Sequence, residues 1–218
     1  MKKLQLFLLL SLSVLCACGT KESEWAVKCK LADEEAKTFR MTMSEEHFNH
    51  AMSLYNDIIS NSPDYRNAAL VSKAILLRNV NKFSDAMALV EQIPDTAAVF
   101  LPYSSKSIFI NLTLSEKFEL DGDFEMSRHY IKLANEELGL LLEGRKDNIY
   151  SAICAPVPAG GYYEDEDISP FLYYLQYTQI YNPEKVKDVI QTWENGVLTP
   201  NEYSELFFNG LKARLGIM

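Results

Sequence analysis

Three stretches of the chain share one spaced pattern: a phenylalanine, a small residue three later, an apolar residue seven later and another ten later. They are Phe48, Ala51, Tyr55, Ile58; Phe83, Ala86, Val90, Ile93; and Phe124, Ser127, Ile131, Ala134. Such intervals trace one face of a 3.6-residue helix. Each stretch has an upstream companion, a small residue with a large apolar one three later: Ala36 with Phe39, Ala74 with Leu77, Ser115 with Phe118. The pattern predicts helical hairpins, whose small residues let two helices approach closely while the larger ones fill the groove between them. Asn79-Val80-Asn81 and Asp121-Gly122-Asp123 fall between the two helices of their hairpins, and Asn and Gly tolerate the left-handed backbone that ends a helix.

The phenylalanines lie 35 and then 41 residues apart, and the units resemble the tetratricopeptide repeat, a helix-turn-helix of about 34 residues. The resemblance covers residues 30–142 and is carried best by NKFSDAMALVEQIP and GDFEMSRHYIKLANEEL. The chain departs from the family in several places. The inter-helix turn of the first unit reads three residues longer, Pro94 falls early, DTAAVFLPYSSKS inserts residues before the third unit, and the signature tryptophan of the first helix is missing throughout. The resemblance implies an all-α solenoid of helical hairpins that binds a protein or peptide along a groove lined by first helices. Candidate contacts on that face flank Ala74, Leu77, Ser115 and Phe118, with Leu77 and Phe118 as its markers.

At the N-terminus, Met1-Lys2-Lys3 precedes the apolar run LQLFLLLSLSVL. That run reaches only about 18 Å as a helix, against a bilayer core of roughly 30 Å. It reads as an export signal. The following LCACG resembles the lipobox of bacterial lipoproteins, which implies cleavage after Ala17 and acylation of Cys18; Cys16 fits that role poorly because it follows the bulky Leu15. Several acyl chains, at about 0.8 kcal/mol per buried CH2, hold a domain firmly at a membrane surface. GTKESE lacks the aspartate after the cysteine that retains many lipoproteins at the inner membrane. It is loosely similar to the export tag of surface lipoproteins in Gram-negative gut anaerobes. Both similarities imply an outer-membrane anchor, on either the periplasmic or the surface face.

Beyond residue 142 the periodicity stops. GRKDNIYSAICAPVPAGGYYEDED reads as a long loop over 143–168, and because such loops often carry function, Tyr162 and Tyr163 are candidate ligand contacts. Helix-start signals then return. Ser169-Pro170, Asn182-Pro183 and Thr199-Pro200 each set a capping side chain before a proline, and Thr199 to Glu202 reads as a capping box. They predict a hairpin over 170–181 and 183–194 and a closing helix, with Phe171, Tyr173, Tyr174, Tyr177, Tyr181 and Trp193 as core. The expected organisation is a leader at 1–17, a tether at 18–29, repeats at 30–142, a loop at 143–168 and a C-terminal helical hairpin with capping helix at 169–218.

Reactive motifs are sparse. No nucleophile elbow, Walker loop, GxGxxG or HExxH is spelled, so no catalytic residue, cofactor or metal is expected and the chain does not read as an enzyme. His47 and His50 share a helix face at i,i+3 but read as solvated, and DGDFE lacks the later residues of a calcium loop. The formal charge of -9, more negative once Lys2 and Lys3 leave with the leader, argues against nucleic acid. Cys29 and Cys154 are candidates for a disulfide in an oxidising compartment, or for two separate buried thiols. Asp95-Thr96-Ala97 is similar to the O-glycosylation pattern of the same anaerobes, with Thr96 the acceptor, whereas Asn111-Leu112-Thr113 only spells a eukaryotic sequon. The expected function is a membrane-anchored protein-interaction scaffold in nutrient uptake or envelope assembly. A glycan-binding accessory lipoprotein is the alternative.

Overall fold

The computed structural model describes residues 23–95, 97, 105–156 and 168–216. The expectations for the leader, Cys18, Thr96, Tyr162 and Tyr163 lie outside the described residues. The described residues form ten helices: α1 Glu24–Thr42, α2 Glu45–Asn61, α3 Pro63–Arg78, α4 Phe83–Val90, α5 Lys106–Leu120, α6 Phe124–Glu143, α7 Lys146–Ile153, α8 Ile168–Tyr181, α9 Lys185–Asn195 and α10 Glu202–Arg214. The described residues are therefore all-α, and packed pairs such as α1 with α2, α5 with α6 and α8 with α9 are consistent with a helical repeat. Two compact units are separated between Ser72 and Lys73, within α3.

In the first unit α1 packs along α2. The helix begins inside the segment expected as tether, because Ser23 accepts the Ala26 N–H and caps it with Glu24 in its first turn. Ala32, Ala36 and Phe39 face Ala51, Tyr55 and Ile58 in the buried seam, and the Phe39 and Phe48 rings lie 5.3 Å apart. The Tyr55 hydroxyl donates to Asp33 at 2.7 Å. Burial, followed by Asp33, pushes its ionisation far above the usual tyrosine range.

All three hairpins turn in the same way. The residue four after the upstream apolar marker is left-handed: Met43 (φ 55°) after Phe39, Asn81 (φ 60°) after Leu77, and Gly122 (φ 80°) after Phe118. The marker's carbonyl closes each turn, Phe39 accepting from Met43, Leu77 from Lys82 and Phe118 from Asp123. In the last two this is the bond from the second residue past the cap that defines a Schellman ending. The next helix then starts two residues after each left-handed residue. This corrects the expectation of a longer first turn. The extra residues, Glu45-Glu46-His47, form an added helical turn before Phe48, since continuing the ladder satisfies backbone groups that a longer loop would leave to water.

The second unit holds one continuous core drawn from α5 to α10, including Leu138, Leu142, Ile149, Phe171, Trp193 and Phe208. Phe171 and Trp193 sit 4.6 Å apart at its centre. The small positions behave as the spacing predicts, for Ser115 of α5 and Ser127 of α6 are buried with their hydroxyls 3.0 Å apart. The loop expected over 143–168 is corrected at its start. Residues 146–153 are helical because Ile149 and Ile153, one turn apart, are fully buried against the core. Lys185 opens α9 two residues later than Pro183, and Asn201 rather than Thr199 caps α10, exchanging bonds with Ser204 and also donating to the Cys154 carbonyl at 2.8 Å. Gly196 does end α9, but at φ -79° its need is space, as a Cβ there would lie 1.9 Å from the Tyr150 hydroxyl oxygen.

Two glycines give opposite expectations. Gly122→Ala should lower stability by about 1 kcal/mol, because a Cβ is strained at positive φ. Gly210→Ala, inside α10 where a Cβ meets nothing within 4 Å, should raise it by about 0.5–1 kcal/mol through helix propensity. Urea unfolding followed by circular dichroism reads both, and a neutral Gly122→Ala would contradict the turn.

Candidate functional site

Of the two markers proposed for the binding face, Leu77 is 5% exposed. Its carbonyl also closes a turn, so Leu77 itself builds the hairpin and cannot meet a ligand. Phe118 is half-buried and stacks on Tyr130 of α6 at 5.5 Å, nearly parallel. Their neighbours in sequence carry the surface chemistry. Arg78, after Leu77, donates through Nε and Nη2 to the two oxygens of Glu116, after Ser115, both at 2.6 Å. The pair links the last turn of α3 to α5, with the guanidinium 5.6 Å from the centre of the Phe109 ring. A two-point Arg–carboxylate pair fixes both side chains in a way that a lysine could not.

The aromatic row of α8, expected as core, divides by helical face. Phe171 is fully buried, whereas Tyr173 is 54% exposed. One turn on, Tyr177 is half-buried with its ring 6.2 Å from that of Tyr173 and tilted by 20°. Burial foremost pushes the Tyr177 hydroxyl above the usual tyrosine range, Arg78 pulls it down, and Tyr173 and Glu116 push it up. Tyr177 thus lies within electrostatic range of the Arg78–Glu116 pair. The surface thus draws Arg78 from α3, Glu116 from α5, and Tyr173 and Tyr177 from α8, each the first helix of its hairpin.

A buried amide holds this face in place. Asn135 of α6 is fully buried and donates to Thr178 Oγ1 at 2.8 Å and to the Tyr181 hydroxyl at 3.3 Å. Thr178 in turn donates to the Tyr174 carbonyl at 2.8 Å. The Asn135 side-chain oxygen has no hydrogen-bond partner among the described residues, which costs on the order of 1–3 kcal/mol. In exchange the contact fixes α8 against α6 at a single register.

In the first unit the two histidines share Glu35 of α1, whose Oε2 lies 2.5 Å from His47 Nδ1 and Oε1 3.1 Å from His50 Nδ1. The sequence did not disclose that carboxylate, since Glu35 lies across the turn rather than beside the histidines. Among the described residues no group of three His, Cys, Asp or Glu side chains is placed to hold a metal ion. Cys29 and Cys154 are half-buried free thiols in this structure. Each is packed within its own unit, and burial, then Asp33, pushes the Cys29 thiol up.

The Glu35 carboxyl is held below its ordinary value, foremost by the His47 hydrogen bond, with desolvation opposing and His50 adding. A carboxyl lowered on folding contributes stability above its unfolded value and loses it as pH falls through the folded one. Glu35→Gln should therefore be less stable than the parent at about pH 6, with the gap closing by about pH 3; thermal unfolding across that range reads it, and a gap independent of pH would exclude the linkage. Compared with known protein families, with curated proteins and with solved structures, the chain matches none.

Proposed function

We propose that the chain is a membrane-anchored scaffold of the tetratricopeptide kind, holding a protein or peptide partner on the face of first helices at the cell envelope. Its context is nutrient uptake or envelope assembly at the outer membrane, and its role is binding rather than catalysis. The observation that carries the reading is the exposed Tyr173 ring and half-buried Tyr177 beside an Arg78–Glu116 pair already set in place. Tyrosine and arginine are among the side chains enriched at interface hot spots; a tyrosine buries a large area with few torsions to freeze, and Arg78 is already fixed by Glu116. Fold alone fixes no function, so the weight rests on that surface.

No helix among the described residues is long and apolar enough to cross a membrane. Attachment therefore rests on the LCACG stretch and acylation at Cys18. A glycan-binding accessory lipoprotein is the second reading, favoured by the same exposed Tyr173 ring, whose flat face suits the apolar side of a sugar.

Two experiments separate these readings. Affinity capture from detergent-solubilised membranes should recover a stoichiometric protein with the parent chain, and roughly 30-fold less with Tyr173→Ala/Tyr177→Ala. No difference between the two, together with glycan binding sensitive to the same pair, would replace the scaffold with the glycan reading. For the anchor, Cys18→Ala should move the protein from the membrane fraction to the soluble one; unchanged fractionation rejects lipidation.

A further inference from the structure

An open cleft of about 240 Å³ lies among α6, α8 and α9 in the second unit, lined by Glu136, Gly139, Leu140, Glu143, Tyr174 and Trp193, among others. Its floor depends on a residue that helix propensity disfavours. Gly139 sits within the 20-residue α6, where alanine would be the better helix former. A Cβ there would meet the Tyr174 ring at 3.0 Å, so the missing side chain lets that ring lie against the helix backbone. Leu140, 75% exposed, forms an apolar rim. Glu136 and Glu143, two turns apart on the same helix face, are both more than half exposed.

An ammonium group already sits at this edge. Lys146 Nζ lies 2.8 and 2.9 Å from the Glu143 oxygens and 5.1 Å from the centre of the Trp193 ring. Carboxylate on one side and an aromatic face on the other is the environment that retains an alkylammonium, by charge and by the ring quadrupole. Each carboxylate has a lysine of this chain beside it, Lys146 close to Glu143 and Lys132 only to 3.7 Å from Glu136, and such exposed pairs are worth little and exchange readily for an incoming ammonium.

We propose that the cleft accepts the side chain of a lysine from a partner protein, the stem lying along Leu140 and Tyr174 and the ammonium replacing that of Lys146 at Glu143 and Trp193. Lys146 is then a tethered competitor that keeps the site closed until a partner's lysine displaces it. The inference rests on the scaffold reading only for the source of the lysine.

The test uses the full-length chain in detergent micelles with Nα-acetyl-lysine methylamide as probe. The protein has two tryptophans, so a Trp25→Phe background makes Trp193 fluorescence the reporter. Lys146→Met should bind the probe about tenfold more tightly than the chain that keeps Lys146, because the internal cation is removed. Binding should disappear with the Nε-acetylated probe, and with Glu143→Gln added to Lys146→Met. No saturable signal in Lys146→Met, or an equal response to the neutral probe, overturns the proposal. A silent cleft in a protein that still captures its partner removes this inference alone. A cleft that binds the probe without any captured partner supports the inference and removes the scaffold.

Discussion

Ser115 and Ser127 meet across the α5–α6 crossing with their hydroxyls 3.0 Å apart, and this close approach governs the arrangement of the helical units. The corresponding positions in the other hairpins, Ala36 with Ala51 and Ala74 with Ala86, are buried to 2% exposure or less. A larger side chain at any of them would push the helices apart and open the groove that Phe39, Leu77 or Ile131 now fills. The left-handed residue four positions after each marker does the complementary task. It returns the chain at a fixed point, so that the small residues arrive opposite each other rather than a turn out of step.

The second unit adds a different constraint. Beyond α6 the hairpin rhythm is interrupted by α7, and packing passes to a continuous aromatic and aliphatic core in which Trp193, Phe171, Phe207 and Phe208 touch in that order. An apolar core of this kind tolerates sliding, because one methyl group resembles another. Asn135 restricts the sliding: its amide reaches Thr178 and Tyr181 at one alignment of α6 on α8 only. The Tyr173–Tyr177 pair and the floor of the Tyr174 cleft inherit that alignment, so one buried amide positions two surfaces.

The helices and their turns were legible in the sequence because their signal is periodic and occurs three times. Asn81 and Gly122 were readable as left-handed turn residues because their chemistry advertises it, whereas Met43 does the same work with no such mark. Helix α7 was hidden for want of length: two turns show a period only twice, and Gly144 before them reads as a break. The Glu35 contact to His47 and His50, and the joining of Arg78 to Glu116, are meetings between separate helices that no local spacing announces. On α8, phenylalanine and tyrosine alternate too closely for a pattern to tell Phe171, fully buried, from Tyr173, largely in water.

The three left-handed turns are not equal in cost. Gly122 adopts that backbone freely and Asn81 with little penalty, but Met43 has a Cβ that disfavours it by about 1–2 kcal/mol. The strain is local to the α1–α2 hairpin, so this hairpin begins with less margin against opening than those built on Asn and Gly. Local opening of this hairpin is correspondingly easier than it would be with glycine at position 43.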